Sequence, residues 1–161
     1  MVPVLLFVFL KSSLCHTLPE CETCEHGWEY WDISGDGVDN GLCYYWSILR
    51  KNWTAAEDFC QREGGHLASS EALATVRNIV QGMEDRGIAL LWLGATDLEE
   101  EGNWTWVDGT PFQGWAWGPF EPDNLGDNED CLTSSAALDY YWNDVICAHE
   151  TEFLCSKNPC S

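Results

Sequence analysis

Two amphipathic stretches in the first half of the chain predict α-helices. The first begins at Thr54, because Thr54-Ala55-Ala56-Glu57 has the spacing of a capping box, and it ends before Gly64-Gly65. The second begins at Ser69 or Ser70, and its apolar residues recur every three or four positions. These residues share one helix face and are expected in the core: Leu73, Val76, Ile79, Val80 and Met83.

Beyond Gly87 the apolar runs shorten to the length of β-strands. Residues 90–94 form a continuous apolar run, and residues 103–107 alternate between polar and apolar side chains. Strand-like segments return at 131–133 and 153–155. No regular element is predicted for residues 108–130, and a loop of that length in a compact domain usually has a function. The pattern therefore predicts an α+β domain with one long functional loop.

Length, cysteine content and charge narrow the class of protein. The chain has 161 residues, which is enough for one domain with a substantial core. Nine cysteines indicate an oxidising compartment, where disulfides persist. The formal net charge of -20 argues against nucleic acids and anionic membranes as partners, since both attract basic surfaces. Most of this charge is expected on a solvated surface, and the rest on metal ligands.

Residues 1–15 predict a signal peptide. Their apolar run is too short to span a bilayer, but it has the length of a signal-peptide core. Ser13 and Cys15 are small residues suited to cleavage before His16, and cleavage would remove the odd cysteine. The signal is atypical, since no Lys or Arg precedes the apolar run. We expect a secreted, extracellular protein with a short N-terminal segment at 16–23, one domain at 24–156, a tail at 157–161 and no membrane anchor.

Cys21-Glu22-Thr23-Cys24 is open to three interpretations: a redox motif, a zinc site with His26, or two half-cystines of structural disulfides. Structural disulfides are the default, because no strand–helix unit surrounds the motif and no second Cys or His pair follows at zinc-finger spacing. Residues 32–40 look like the start of an EF-hand loop. Cys43 stands where such a loop needs its Glu, so we predict an acidic turn instead.

The strongest chemical signal comes from two polar stretches, Glu121–Cys131 and Trp142–Asp144. Calcium takes six to eight oxygen ligands, mainly from carboxylates and amides. Pro122 and the turn formers around Gly126 exclude a helix, so these side chains are expected on a loop. The stretches supply five candidate ligands of a principal calcium site: Glu121, Asp123, Glu129, Asn143 and Asp144.

The same two stretches resemble the C-type lectin domains. In that family a Glu-Pro-Asn or Gln-Pro-Asp triplet, a Glu eight residues beyond its first member and a Trp-Asn-Asp triplet hold one calcium ion. Trp92-Leu93-Gly94 also resembles the Trp-Ile-Gly signature of the family, and residues 28–45 resemble its long-form N-terminal hairpin. The resemblance implies an α+β fold in which two helices flank small antiparallel sheets, with disulfides and a long calcium-binding loop. It also implies a cis peptide bond before Pro122.

Further site residues follow from the resemblance. Sugar hydroxyls are expected to bind directly to the calcium ion and to four of its ligands: Glu121, Asp123, Glu129 and Asn143. A second calcium is implied at Asp97, Glu101, Asn124 and Asp130, for which a solvated group of surface acids is the alternative. The implied disulfides are Cys24–Cys43, Cys60–Cys155 and Cys131–Cys147. Cys21 and Cys160 are left for an intrachain bridge or for a disulfide-linked oligomer. Sequons mark two candidate glycosylation sites, Asn52 and Asn103.

Glu121-Pro122-Asp123 combines two sugar preferences of the family. Its mannose-type triplet is Glu-Pro-Asn and its galactose-type triplet is Gln-Pro-Asp, so each joins one acid acceptor to one amide donor. Here Glu121 favours mannose and Asp123 favours galactose, and the sequence does not rank them. We expect a calcium-dependent lectin for glycans on cell or microbial surfaces, and no enzyme, since no nucleophile motif is present. Ice binding of the type II antifreeze kind and a protein-binding subunit are alternatives on this fold, and a mineral-binding matrix protein is a third.

Overall fold

The computed structural model describes residues 24–33 and 41–159. The predicted signal peptide, Cys21, most of the predicted acidic turn and Cys160 lie outside them. The described helices are α1 (Trp53–Arg62) and α2 (Leu73–Arg86). The strands are β1 (Glu29–Trp31), β2 (Leu42–Trp46), β3 (His66–Leu67), β4 (Leu90–Thr96), β5 (Thr105–Trp106), β6 (Cys131–Ser135), β7 (Trp142–Val145) and β8 (Glu152–Lys157). A 3₁₀ turn at Ala136–Leu138 joins β6 to β7.

The strands form one mixed sheet in the order β1-β2-β8-β4-β6-β7, to which β3 is added through β8 and β5 through β4. Every pair is antiparallel, as expected, except that β4 and β8 run parallel. The predicted strand at 103–107 is shorter than expected, since only Thr105 and Trp106 pair with β4. Because β8 lies between β2 and β4, the last strand connects the N-terminal hairpin to the part of the sheet that carries the long loop.

Large aromatic side chains fill the core, which consists of two clusters of buried residues. Trp92, Trp142, Tyr44 and Phe153 are all almost fully buried. Burial of a tryptophan also requires a partner for its indole N–H. Trp92 Nε1 donates to the carbonyl of Lys51 at 3.0 Å, for example. The sheet and both helices therefore provide a rigid support, which we call the body.

Three disulfides join elements that are distant in sequence. The bridges Cys24–Cys43, Cys60–Cys155 and Cys131–Cys147 are present, as the resemblance implied. The second connects α1 to β8 across 95 positions, and the third brackets β7. Because Cys24 forms a disulfide with Cys43, it is not free to bind zinc together with His26. The interpretation of Cys24 as a structural half-cystine is therefore the one that holds.

The N-terminus of α1 differs from the prediction. The helix is capped by Asn52, whose Oδ1 accepts a hydrogen bond from the Ala55 N–H at 2.9 Å, so the capping box at Thr54 is wrong. Glu57 does not reach back to the helix start. Its carboxylate accepts from the N–H of Leu67 in β3 at 2.8 Å, because that buried donor needs a partner. The local pattern assigned the Glu57 side chain to the helix cap, but in the structure it hydrogen-bonds to β3 instead.

Helix α2 begins later than predicted, at Leu73 rather than at Ser69 or Ser70. Its core face is also shifted: Ile79 and Met83 are buried as expected, but Leu73 is 54% exposed and Thr75 is buried. The helix ends at Gly87, whose φ of 65° is left-handed and suits glycine. Within the part of the chain that the structure describes, no helix combines the length and the apolar character needed to cross a membrane.

Candidate functional site

The long loop, residues 107–130 between β5 and β6, is attached to the body through Glu71. The Glu71 carboxylate accepts from Trp106 Nε1 at 2.8 Å and from the Gln113 N–H at 2.9 Å, and its carbonyl accepts from Trp115 Nε1 at 3.1 Å. The predicted start of α2 at Ser69 or Ser70 had hidden this role. The available signal was an acid placed before a helix, which the sequence alone does not connect to loop residues 42 and 44 positions away.

Aromatic packing holds the middle of the long loop against β7. The ring centroids of Trp117 and Trp142 lie 5.9 Å apart, and those of Trp104 and Trp117 lie 4.9 Å apart. Backbone hydrogen bonds join the same elements: the Trp142 N–H donates to Ala116 at 2.8 Å, and the Gly118 N–H donates to Trp142 at 2.9 Å. These contacts place residues 118–123 beside Asn143 and Asp144.

Three predicted calcium ligands meet at this junction. Each of Glu121, Asp123 and Asp144 offers an oxygen, and these oxygens all lie within 4.8 Å of one another. The Glu121–Pro122 peptide bond is cis. Asp144 is almost fully buried, whereas Asp123 is exposed and Glu121 is partly buried. We call Glu121, Asp123 and Asp144 the principal cluster.

The other two predicted ligands lie next to the principal cluster. Asp144 accepts from the Asn124 N–H at 2.7 Å, and Asn124 Oδ1 in turn accepts from the Glu129 N–H at 3.0 Å. Glu129 Oε2 accepts from the Leu125 N–H at 3.0 Å. Asn143 and Asp144 lie in strand β7 and not on a loop as predicted, and Asn143 is partly buried. These hydrogen bonds hold residues 123–129 near Asp144, so Glu129 lies close enough to the cluster to interact with Asp144 and Asp123 without being part of it.

Glu121 is partly buried in the principal cluster and lies close to two other carboxylates, and both features raise its pKa. Burial raises the pKa of Glu121 to about 7, and the neighbouring Asp144 and Asp123 contribute to the rise. Burial also raises the pKa of Glu129, with contributions from the charges of Asp144 and Asp123. Glu121 Oε2 is buried and has no hydrogen-bond partner among the described residues. A buried carboxylate oxygen without a donor is costly, so this oxygen is suited to bind a cation.

The donor set fits a hard divalent cation such as calcium. It consists of carboxylate oxygens with an amide beside them, and it contains no thiolate or imidazole. No Lys or Arg occurs between Arg86 and Lys157 in the sequence, so no basic side chain of that segment competes for these acids. Coordination by the cluster would relieve both the unpaired Glu121 oxygen and the repulsion between like charges.

The residues predicted to bind a second calcium do not form a compact cluster in the described part of the chain. Asp97 is 4% exposed, and its Oδ2 accepts from the Gly102 N–H at 2.8 Å. Its Oδ1 is buried and has no hydrogen-bond partner within the residues that the structure describes. Burial raises the pKa of Asp97, and the charges of Glu101 and Asp130 add to the rise. Asn124 Oδ1 is already bonded to Glu129. Among residues 24–33 and 41–159 the principal cluster is the acidic group compact enough for a metal, so the second calcium stays a prediction.

The two sequons lie at different kinds of position. Asn52 is the partly buried N-cap of α1, whereas Asn103 is exposed and its Nδ2 donates to Glu100 at 3.1 Å. Glycosylation at either site stays a prediction.

Comparison with known proteins agrees with the geometry. The family model described as the lectin C-type domain matches residues 49–157. The hepatic lectin of Gallus gallus is 33% identical over 150 residues, which are 91% of this chain and 65% of that protein. C-type lectin domain family 4 member F of Mus musculus is 37% identical over 127 residues, which are 74% of this chain and 22% of that protein. The chain thus spans less than two thirds of the length of either relative.

Solved structures show the same fold. The carbohydrate-recognition domain of the mouse scavenger receptor C-type lectin superposes with a TM-score of 0.73 at 28% identity, over 84% of this chain and 98% of that one. A calcium-independent type II antifreeze protein superposes with a TM-score of 0.71, also at 28% identity, over 84% and 95%. The fold, the matched segment and the sequence identities agree that this chain belongs to the C-type lectin domain family.

Proposed function

We propose that this chain is a calcium-dependent lectin, with calcium held by the principal cluster together with Glu129 and Asn143. The observation that carries the proposal is the buried Oε2 of Glu121, which has no hydrogen-bond partner in the described part of the chain and lies beside two further carboxylates. When bound, the ion supplies coordination positions for neighbouring hydroxyl groups of a sugar. Membership of the C-type lectin domain family supports the same function. The proposed activity is reversible binding without covalent chemistry.

The side chains around the ion set how a sugar is held. A sugar hydroxyl can donate to a carboxylate and accept from an amide N–H. Glu121, Asp123 and Glu129 are acceptors only, so Asn143 is the one amide donor of the proposed ligand set. We therefore expect weak binding of single sugars and little discrimination between mannose-type and galactose-type ligands.

A glycan array with calcium and with chelator tests the proposal. We expect signals on glycans with terminal mannose or galactose that vanish with chelator and in both Glu121→Ala and Asn143→Ala. Calcium-dependent thermal stabilisation without any glycan signal would overturn the lectin proposal and keep the metal site.

Two single substitutions test the argument about donors. Glu121→Gln creates the galactose-type triplet, and Asp123→Asn creates the mannose-type triplet. Each adds one amide donor, so each variant should bind its own sugar more tightly than the native chain does. Competition with methyl mannoside and methyl galactoside measures both preferences. Unchanged preferences in both variants would contradict the assignment of residues 121 and 123 to sugar recognition.

Ice binding is the second candidate function. Its support is the similarity to the calcium-independent type II antifreeze protein and to the type II antifreeze protein of herring, which is 27% identical with a TM-score of 0.72. Thermal hysteresis of the purified protein distinguishes the two functions. Hysteresis without a glycan signal would favour ice binding, and a calcium-sensitive glycan signal without hysteresis would favour the lectin.

We further propose that the chain is secreted and meets glycans on cell or microbial surfaces. The apolar run in residues 1–15 and the three disulfides support an oxidising destination. A homo-oligomer would compensate for weak single sites through multivalency. The solved trimeric structure of the Kupffer cell receptor Clec4f, 32% identical with a TM-score of 0.68, supports this arrangement. Light scattering with and without reductant measures the assembly and tests for an interchain bridge.

A further inference from the structure

Phe120 is the most exposed large apolar residue that the structure describes, at 95% of its surface. It directly precedes Glu121, a member of the principal cluster. Its ring makes no aromatic contact among the described residues, whereas Trp104, Phe112, Trp115 and Trp117 of the same region all pack against other rings. A fully solvated phenyl ring contributes nothing to the folded state through burial.

The backbone at Phe120 is also unfavourable for a residue with a side chain. The Glu121 N–H donates to the Gly118 carbonyl at 3.1 Å, which closes a β-turn with Pro119 second and Phe120 third. The φ of Phe120 is 74°, a left-handed value. Proline at the second position and positive φ at the third are features of a type II turn, where the third residue is usually Gly or Asn. A bulky side chain there is disfavoured, and no contact within the described structure offsets this cost.

We propose that Phe120 is a specificity-determining residue, which packs against the apolar C–H face of the sugar unit next to the one held at the principal cluster. This inference rests on the proposed lectin function and extends it from single sugars to oligosaccharides. Aromatic rings are frequent in ligand sites because they offer a rigid apolar surface at little entropic cost. Since the calcium ligands include one amide donor, a second contact would supply the affinity that a single sugar lacks.

The charge of the surroundings further defines the oligosaccharide class. The segment between Arg86 and Lys157 contains many acids and no Lys or Arg. Sialylated, sulfated or uronic-acid units would meet carboxylates next to Phe120 without a basic partner from this segment. An uncharged phenyl ring beside such acids suits a neutral oligosaccharide.

Phe120→Gly is an informative variant, because glycine is the residue that this turn position favours. The probes are mannobiose and lactose beside methyl mannoside and methyl galactoside, as competitors in calcium. We expect the variant to bind the better disaccharide roughly two- to tenfold more weakly, an effect of the size found for pairs of aromatic rings. Binding of the methyl glycosides, calcium affinity and Tm should be unchanged, or Tm slightly higher. Phe120→Tyr should keep the disaccharide affinity.

Ile48→Ala is the matched control. Ile48 is 88% exposed and lies between β2 and α1, outside the long loop, so its substitution should change no affinity. Unchanged disaccharide binding in Phe120→Gly would overturn the inference, as would an equal loss for methyl glycosides, a loss of calcium affinity or a clearly lower Tm.

The failure of the inference is distinguishable from that of the proposed function. If the native chain binds calcium but none of the four probes and no arrayed glycan, the lectin function fails and the inference fails with it. If the native chain binds a disaccharide in a calcium-dependent way and Phe120→Gly binds it equally well, the inference alone fails.

Discussion

Two glutamates, one in the body and one in the long loop, have opposite surroundings. Glu57 is 6% exposed, and its carboxylate accepts from the Leu67 N–H at 2.8 Å and from Gln61 Nε2 at 2.8 Å, and lies 2.6 Å from His66 Nδ1. Glu121 has one buried oxygen without a hydrogen-bond partner among the described residues and lies beside two other acids. The body supplies donors to its buried carboxylate, whereas the loop supplies further carboxylates.

The different surroundings of the two glutamates indicate that the body provides stability and the long loop provides function. A buried carboxylate that receives several hydrogen bonds stabilises the structure around it. Carboxylates that face each other destabilise the loop until a cation joins them. The body, tied by Cys60–Cys155 and a mixed sheet, is therefore expected to tolerate the repulsion stored at the principal cluster. The experiments below test whether the two regions respond independently.

The largest effect is expected from removing the bridge of the body. Cys60→Ala with Cys155→Ala opens a connection across 95 positions and should lower the free energy of unfolding by about 4–5 kcal/mol, with or without calcium. Urea unfolding in calcium and in chelator measures this. The matched comparison is Cys131→Ala with Cys147→Ala, which opens a span of 16 positions around β7. We expect about 3 kcal/mol there and, in addition, weaker calcium binding.

The variants Glu121→Ala and Glu57→Ala compare the two carboxylates directly. Removing Glu121 takes one carboxylate from the principal cluster, so calcium affinity should fall at least about tenfold, or about 1.4 kcal/mol. The Tm in chelator should not fall, since repulsion is relieved. Removing Glu57 leaves the buried Leu67 N–H without its acceptor and should cost roughly 1–3 kcal/mol of stability. The calcium affinity of the Glu57→Ala variant should be unchanged.

Calorimetric titration with calcium and thermal melts in chelator give both quantities for each variant. Glu99→Gln, which removes an exposed acid outside the proposed ligand sets, controls for the general loss of negative charge. A calcium-binding defect in Glu57→Ala, or a large loss of metal-free stability in Glu121→Ala, would show that the two regions are not independent.

The metal-free protein should become more stable as pH falls from about 7 toward 5. Glu121 has a folded pKa of about 7 against an ordinary value of 4.5, and burial also raises the pKa values of Glu129 and Asp97. A raised pKa in an acid means that the folded state binds the proton more tightly than the unfolded state does. Its contribution to stability is therefore fully present below the unfolded pKa and lost as pH rises through the folded pKa.

Calcium should reverse this dependence, because the ion competes with protons for the same carboxylates. Tm measured from pH 5 to pH 8 should fall with rising pH in chelator and rise in saturating calcium. Glu121→Ala should flatten the curve in chelator. A Tm in chelator that rises steadily over this window would contradict the assignment of raised pKa values to the loop acids.

Much of this organisation could be predicted from the sequence because it repeats a family pattern. Glu121, Pro122 and Asp123 are adjacent to turn formers, so their placement on a loop follows from local chemistry, whereas the Trp142–Asp144 stretch lies in strand β7. The three bridges followed from the resemblance and are present. Such features depend on a few residues whose positions in the sequence identify them.

Features that depend on contacts across the fold could not be predicted in this way. Glu57 has the spacing of a capping box, yet its carboxylate accepts a hydrogen bond from the N–H of Leu67, ten positions later. Glu71 anchors the long loop through Trp106, Gln113 and Trp115, which no local pattern indicates. The exposure of Phe120 likewise requires the turn geometry to be known. In each case the partner of a side chain is set by tertiary structure and not by its neighbours in sequence.

The smallest effect tests this lesson at the start of α1, with two variants that both destroy the sequon at Asn52. Asn52→Ala removes the cap acceptor of the Ala55 N–H and should lower the stability of the body by about 1 kcal/mol. Thr54→Ala changes an exposed side chain inside the first helical turn and should have almost no effect. Unfolding of unglycosylated protein made in bacteria isolates the cap from any glycan. Because α1 belongs to the body, neither variant should change calcium affinity, and equal destabilisation by both would restore Thr54 as a participant in the cap.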